Sequence, residues 1–169
     1  MTDDGDDLYR RTDIESAIVQ GDKSKYDELI DDADLDHRGG NNNTLLHEAT
    51  IMGRTEIVAD LLERGIDIDA VDDGGKTALH CAIQEGYPEI AQTLLDNGAR
   101  VDIKDAYEVE PLLHAVGESY YDLTERILER GGDPTHENEV GISPLSLARE
   151  GWPQKYVDLL ESYADEGDA

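Results

Sequence analysis

The apolar residues of this chain recur in short groups whose spacing predicts helices. The clearest groups occupy positions i, i+1, i+4 and i+5, so each forms a stripe along one face of a helix. Such stripes are formed by Ile57, Val58, Leu61 and Leu62, and again by Ile90, Ala91, Leu94 and Leu95. A shorter apolar segment precedes each stripe, and a polar loop follows it. The pattern therefore predicts pairs of helices joined by polar loops.

These pairs repeat at a fixed interval. The segment "TLLHEATIMG" begins at Thr44, and the similar "TALHCAIQEG" begins at Thr77, 33 residues later. The same step leads to Glu110 and then to Ser143. A period of this length is typical of stacked helical units, each of which buries its apolar faces against its neighbours.

Particular side chains recur where helices would begin. Thr44, Thr77 and Ser143 stand at N-cap positions, where a hydroxyl accepts hydrogen bonds from free backbone N–H groups. His47 and His80 follow three residues later, where a side chain can bond back to the cap. We therefore predict a structural role for these caps and histidines.

Prolines and glycines mark the other helix ends. Pro111 and Pro144 occupy the first helical position, where a missing N–H is harmless. Gly65, Gly98 and Gly131 follow the longer helices, where a left-handed conformation ends the helix. These five residues are also predicted to be structural.

On these motifs the chain resembles the ankyrin-repeat family, whose hallmark is Thr-Pro-Leu-His-x-Ala followed by Leu-Leu-x-x-Gly-Ala-Asp. "TLLHEA" and "TALHCA" match the first motif, and "LLERGIDID" and "LLDNGARVD" match the second. The later "EPLLHA" has Glu110 and Leu113 in place of Thr and His, and "SPLSLA" has Ser146 in place of His. A degraded earlier unit is visible in "IESAIVQGDKSKYDELI". The resemblance covers residues 10 to 163.

The resemblance implies an all-α fold, an ankyrin-repeat solenoid of helix-turn-helix units whose loops form β-turn or hairpin-like tips. We predict a single domain of five repeats including caps. Its units are an N-terminal cap at 10–41, full repeats at 42–74, 75–107 and 108–140, and a C-terminal cap at 141–163. Acidic tails at 1–9 and 164–169 flank the domain, and we expect them to fray.

The charge is unusual, with 41 Asp and Glu against 14 Lys and Arg and a net charge of -27. This field disfavours nucleic acid and anionic membrane as partners, because phosphate binding needs clustered Lys or Arg. Life in concentrated salt, a basic partner and disorder would each explain it. The ordered repeat argues against disorder. Abundant Asp with little Lys favours the halophilic explanation.

Candidate catalytic and metal-binding groups have simpler structural explanations. His47 and His80 lie one repeat apart, about 10 Å in a helical stack, whereas zinc ligands lie about 2 Å from one ion. Cys81 is expected to be a small buried residue. His114 and His136 are expected to be incidental. We predict a chain that is not an enzyme.

Other familiar site motifs are missing from the sequence. The segment "DDADLDH" at 31–37 lacks the spacing and the final Glu of a calcium loop. Neither a Gly-rich phosphate loop nor a Gly-x-Ser-x-Gly elbow occurs. We therefore predict no cofactor and no metal site.

The resemblance implies a protein–protein interaction module, a scaffold or adaptor that binds through a concave face of loop tips and first helices. Partner-binding residues are therefore predicted in these two places. In and beside the tips they are Val71, Asp73, Lys76, Lys104, Tyr107, Val109, Glu137, Val140 and Ile142. At the exposed ends of the first helices they are Ile51, Met52, Gln84, Glu85, Glu118 and Tyr120.

The apolar residues in this set are explained either by partner binding or by packing within the protein. A solvated loop of so acidic a protein has little reason to expose Tyr107 or Val140, so we predict that they are interface anchors. Val109 and Ile142 either contact a partner or pack against the neighbouring loop. Trp152 is expected to cover the end of the stack, with partner binding as the alternative.

A second function stays open. The segment from Glu110 to Ala148 also resembles the C-terminal half of small prokaryotic ankyrin proteins that are suspected immunity factors against secreted or contact-delivered toxins. That resemblance implies an inhibitor that binds and blocks a toxin or another enzyme. An acidic inhibitor would suit a basic target.

Location and assembly are indicated only by bulk features. No stretch approaches the 18 apolar residues of a membrane span, and the acidic N-terminus lacks the apolar run of a secretory signal. Cys81 is the only cysteine, which suits a reducing interior. We expect a cytoplasmic monomer whose partner is an unidentified and basic protein.

Overall fold

The computed structural model describes residues 12–164, so the two predicted tails lie outside the described residues, apart from Ala164. Ten α-helices in five consecutive pairs make up this part of the chain, which contains no strand. They are α1 (Asp13–Gln20) and α2 (Lys23–Leu29), α3 (Leu45–Ile51) and α4 (Thr55–Glu63), α5 (Ala78–Gln84) and α6 (Pro88–Asp96), α7 (Pro111–Gly117) and α8 (Tyr121–Glu129), and α9 (Pro144–Gly151) and α10 (Gln154–Ala164). The predicted all-α solenoid of five units is confirmed.

The helices pack in two layers. The first helices of successive units, α1, α3, α5, α7 and α9, contact one another in chain order, and each also contacts the second helix of its own unit. A column of fully buried alanines lies along the first layer, formed by Ala49, Ala82, Ala115 and Ala148, each 0% exposed. Because alanine is small, it lets neighbouring helices approach closely while their leucines fill the space between the layers.

Local motifs begin and end the helices as predicted. Thr44 and Thr77 cap α3 and α5, and Pro111 and Pro144 are the first residues of α7 and α9. The glycines after α4, α6 and α8 are left-handed as predicted, namely Gly65 (φ 80°), Gly98 (φ 90°) and Gly131 (φ 90°). Two short 3-10 helices, Ile30–Asp32 and Gly40–Asn42, occupy the first long loop and were not predicted.

In the first three units, the turn between the paired helices is covered by a side chain from the next unit. The Arg54 guanidinium donates to the carbonyl oxygens of Ile18 and Val19 at 3.1 and 2.8 Å, over the end of α1. One unit on, the Tyr87 ring lies against Gly53, whose φ is 64°. A Cβ at Gly53 would lie 2.7 Å from that ring. A residue larger than glycine is therefore disfavoured there both by the left-handed backbone and by the neighbouring ring.

The C-terminal unit differs at this turn. Trp152 stands where earlier units have Gly53, Gly86 and Ser119, and its backbone is extended, with φ −91°. Its side chain is half-buried and packs against the core. This position agrees with the prediction that Trp152 covers the end of the stack.

Candidate protein-binding surface

Four five-residue loops, which we call the tips, precede helices α3, α5, α7 and α9. They are residues 39–43, 72–76, 105–109 and 138–142. In each tip the first N–H donates to the fifth carbonyl oxygen, at 2.8 Å in the first tip and 3.0 Å in the others. In the last three tips, the first side chain also accepts hydrogen bonds from the third and fifth N–H groups through Oδ1. These acceptors are Asp72, Asp105 and Asn138, so each of these three tips is braced by its own first residue.

Neighbouring tips are joined into a ladder by backbone hydrogen bonds. In the second, third and fourth tips, the second N–H donates to the third carbonyl oxygen of the tip before it. The donor–acceptor pairs are Asp73 to Asn41 at 2.9 Å, Ala106 to Gly74 at 2.7 Å, and Glu139 to Tyr107 at 3.3 Å. The ladder sets the tips side by side and forms one continuous surface from separate loops.

The two repeated histidines attach this ladder to the helices. His47 Nδ1 accepts the backbone N–H of Thr44 at 3.2 Å, so the proton lies on Nε2. Nε2 then donates to the carbonyl oxygen of Lys76, in the next tip, at 2.9 Å. His80 repeats the arrangement with Thr77 and the Val109 carbonyl oxygen.

Burial decides the charge of these histidines. Both rings are at most 1% exposed, and this desolvation lowers the pKa of His47. The same cause, with the nearby His114 ring, lowers the pKa of His80 to about 4. Both rings are therefore neutral at neutral pH, and their Nε2 bonds tie each of these first helices to the next tip.

The large exposed apolar residues lie at the tips. Across residues 12–164 the large hydrophobic side chains classed as exposed are Val71 (39%), Tyr107 (62%), Val140 (70%) and Ile142 (40%). Val71 directly precedes the second tip, and the other three are within the third and fourth tips. All four were predicted as partner-binding residues. We call these residues, with the tips that carry them, the tip surface.

Val109 is the exception among the predicted apolar anchors. It occupies the fifth position of the third tip, as Ile142 does in the fourth, but only 8% of it is exposed. His80 Nε2 contacts its carbonyl oxygen at 3.2 Å and holds it against the helices. Helix α7 has Leu113 in place of the histidine, so nothing draws Ile142 inward in the same way. The burial of Val109 therefore favours the interpretation that it packs against the neighbouring loop, whereas Ile142 is exposed.

A line of polar side chains runs from the tips across the first helices. Lys76 Nζ donates to Gln84 Oε1 at 2.8 Å, and Gln84 Nε2 lies 3.0 Å from a ring nitrogen of His114. His114 in turn lies 3.6 Å from Asp105 Oδ2 and packs edge-on against His80, with ring centroids 5.9 Å apart. His114 is expected from the sequence to be incidental, but helix packing places it beside Lys76 and Gln84, which are predicted partner-binding residues.

The residues predicted at the helix ends are less uniform. Glu85 and Glu118 are exposed, and Ile51 and Met52 are half-buried. Tyr120 is also half-buried: it packs against the core, and its hydroxyl lies over Gly86. Its contacts resemble those of Tyr87, which covers Gly53, and its role as a partner-binding residue stays a prediction.

Ion pairs are concentrated on the second-helix side. Arg64 pairs with Asp60 at 2.7 Å, and Arg126 pairs with Asp96. Near the tips the corresponding contact is the looser Lys104–Glu108 pair at 3.5 Å. Three exposed acids in or beside the tips have no ion-pair partner among residues 12–164, namely Asp73, Glu137 and Glu139. The tip surface therefore combines apolar side chains with uncompensated negative charge.

Two further side chains considered in the sequence are Cys81 and His136. Burial raises the pKa of the Cys81 thiol to about 12 and leaves it 5% exposed, as expected for a packing residue. His136 contacts the Glu108 carbonyl oxygen at 3.0 Å. Residues 12–164 contain no cluster of three metal-binding side chains and no helix with the length and apolarity needed to cross a bilayer.

A comparison with protein-family models gives one match. The model described as ankyrin repeats (3 copies) matches residues 14–105, which is more than half of the chain. This range contains the first three helix pairs, and α7 to α10 continue the same arrangement beyond it. A search of curated proteins found none that matches the chain.

Proposed function

Because the chain belongs to the ankyrin-repeat family, whose members generally bind other proteins, we propose that it binds a protein partner through the tip surface and the adjoining first helices. It acts as a scaffold or adaptor and not as an enzyme. We also propose that it works as a cytoplasmic monomer, which suits its single buried thiol.

One observation carries this proposal. The exposed large apolar residues of residues 12–164 are all gathered at the tips, and no other face of the described structure offers such a group. Tyr107 and Val140 are 62% and 70% exposed, so a partner that covers them removes apolar surface from water, which favours binding. Apolar and aromatic anchors surrounded by charge are typical of interface hot spots.

The charge indicates the chemistry of the partner. The net charge is -27, and Asp73, Glu137 and Glu139 are uncompensated beside the anchors. A basic protein would be steered towards this surface, and an acidic one would be repelled. The polar line from Lys76 to His114 offers hydrogen-bonding groups at the floor of the same surface.

Site-specific photo-crosslinking tests the proposal. A photoreactive amino acid is placed at Tyr107 in one variant and at the exposed Glu125 of α8, on the opposite layer, in a matched control. In lysate of the source cell at native ionic strength, we expect a discrete cross-linked protein from position 107 and none from position 125. Cross-links from position 125 alone, or equal products from both, would refute the proposal.

The alternative is an immunity-type inhibitor that binds and blocks a toxin. It is favoured by the fact that Tyr107, Val140 and Ile142 all fall in the third and fourth tips, which adjoin or lie within the segment that resembles immunity factors. The same cross-linking variants separate the two functions. A product that forms only after secretions of competing cells are added supports the inhibitor, and a product formed from the cell's own lysate supports the scaffold.

A further inference from the structure

The tip ladder is open at its C-terminal end. In each of the first three tips the third carbonyl oxygen accepts an N–H from the following tip. The equivalent oxygen of the fourth tip belongs to Val140, and it accepts no hydrogen bond from residues 12–164. We infer, building on the proposed function, that an extended segment of the partner carrying Lys or Arg docks here and donates a backbone N–H to Val140.

A second acceptor lies beside it. In the second and third tips the fifth carbonyl oxygen, of Lys76 or Val109, receives a histidine Nε2–H from the preceding first helix. Helix α7 carries Leu113 at that position, so within residues 12–164 the Ile142 carbonyl oxygen receives only the tip's own N–H from Asn138. Carbonyl oxygens have two lone pairs, so Ile142 keeps acceptor capacity.

Apolar side chains accompany these acceptors. Val140 and Ile142 are 70% and 40% exposed and two residues apart, and Tyr107 lies on the adjacent rung of the ladder. When an extended segment adds to a sheet-like edge, backbone hydrogen bonds provide affinity and alternate side chains provide specificity. The fourth tip offers both kinds of contact in one place.

The edge is already rigid before anything binds. Asn138 Oδ1 accepts the N–H groups of Val140 and Ile142 at 3.1 and 2.9 Å. These bonds fix the backbone on which both acceptors lie. A partner would therefore meet little entropic cost for ordering this side of the contact.

Charge selects the occupant. The first tip has an unused donor at the opposite end of the ladder. The Gly40 N–H occupies the second position of that tip, from which Asp73, Ala106 and Glu139 donate in the later tips, and it makes no hydrogen bond within residues 12–164. A second copy of the chain could match the edge geometrically, but two copies of net charge -27 repel each other. Glu137 and Glu139 lie beside the open edge without an ion-pair partner among residues 12–164, and they instead favour a segment with Lys or Arg.

A synthetic peptide of alternating valine and lysine, blocked at both ends, tests the inference. The protein is labelled with ¹³C at its carbonyl carbons, and the resonance of Val140 is followed by NMR while the peptide is added. We expect the Val140 and Ile142 resonances to shift. Methylation of the peptide nitrogens along one edge should weaken binding at least about tenfold, because it removes the donors.

Two charge-matched variants control the location. Val140→Lys should abolish the peptide-induced shifts, and Val71→Lys, with the same change at the other end of the tip surface, should retain them. Affinity that is retained both when one edge and when the other edge of the peptide is methylated, or the absence of any shift at Val140, overturns the inference. Shifts centred on Tyr107 and Val71 would overturn the inference but leave the proposed function intact. Shifts confined to the second helices would count against the inference and the proposed function alike.

Discussion

The contact between Tyr87 and Gly53 predicts unequal effects of two similar substitutions. Gly53→Ala and Gly65→Ala both place a Cβ on a left-handed residue, with φ of 64° and 80°. At Gly65 no atom lies within 4 Å of the new Cβ, whereas at Gly53 the Tyr87 ring lies 2.7 Å away. Only Gly53→Ala therefore adds a steric clash to the backbone strain.

The two contributions can be estimated separately. Left-handed alanine costs about 1–2 kcal/mol, offset in part by the lower entropy of the unfolded chain, about 0.4–1 kcal/mol. Gly65→Ala should therefore lose about 1 kcal/mol of unfolding free energy. Overpacking adds about 1–3 kcal/mol, so Gly53→Ala should lose about 2–4 kcal/mol in total.

Equilibrium urea unfolding, followed by far-ultraviolet circular dichroism, measures both variants against the parent protein. The m-value shows whether the stack still unfolds as one unit. A double-mutant cycle with Tyr87→Ala isolates the clash. In that background Gly53→Ala should cost no more than Gly65→Ala. Equal losses for the two glycine variants, or a cost at Gly53 that Tyr87→Ala leaves unchanged, would refute the reasoning.

Three further predictions follow from buried groups and charge. Because the folded pKa of His80 is about 4 and the unfolded value is about 6.5, the stabilisation that His80 provides is complete above pH 6.5. This stabilisation falls by up to about 3 kcal/mol as the pH drops towards 4. The difference in unfolding free energy between the parent protein and His80→Leu, measured by urea titration, should therefore shrink over that range. A difference that stays constant with pH would contradict the lowered pKa of His80. The buried Cys81 should react with an aromatic disulfide reagent at mildly alkaline pH only in urea, and rapid labelling of the folded protein would show that the thiol is accessible. If the acidity reflects adaptation to salt, Tm should rise strongly from low salt to molar KCl, because counter-ions screen the self-repulsion; an unchanged Tm would count against that explanation.

Local chemistry was the part of the structure that the sequence predicted well. Thr44 with His47, and Thr77 with His80, form their capping contacts within four residues, so their spacing alone is sufficient to predict them. The 33-residue period then implies how the units stack, because each unit must cover its neighbour. The helix pairs and most of their boundaries follow from these two facts.

Contacts between units were harder to predict. Val109 and Ile142 hold the same place in the period, and their exposure differs because a histidine reaches one carbonyl oxygen and not the other. The sequence already shows Leu113 in place of that histidine, and this difference was enough to predict that Ile142 is more exposed than Val109. The meeting of Gln84 with His114 depends on how α5 packs against α7, for which no local motif exists.

The central claim is that the exposed apolar residues of the tips bind a protein partner. The most direct measurement is the affinity of the cross-linked partner, once purified, for Tyr107→Glu combined with Val140→Glu. The control combines Ser24→Glu with Thr55→Glu, which adds the same charge at exposed positions in the first turns of α2 and α4, where the helix dipole favours acids. Our account predicts that the tip variant binds at least about thirtyfold more weakly, which corresponds to the loss of a hot spot of 2 kcal/mol. The control variant should keep an affinity within about threefold of the parent protein. Equal affinities for both variants would show that the partner binds elsewhere.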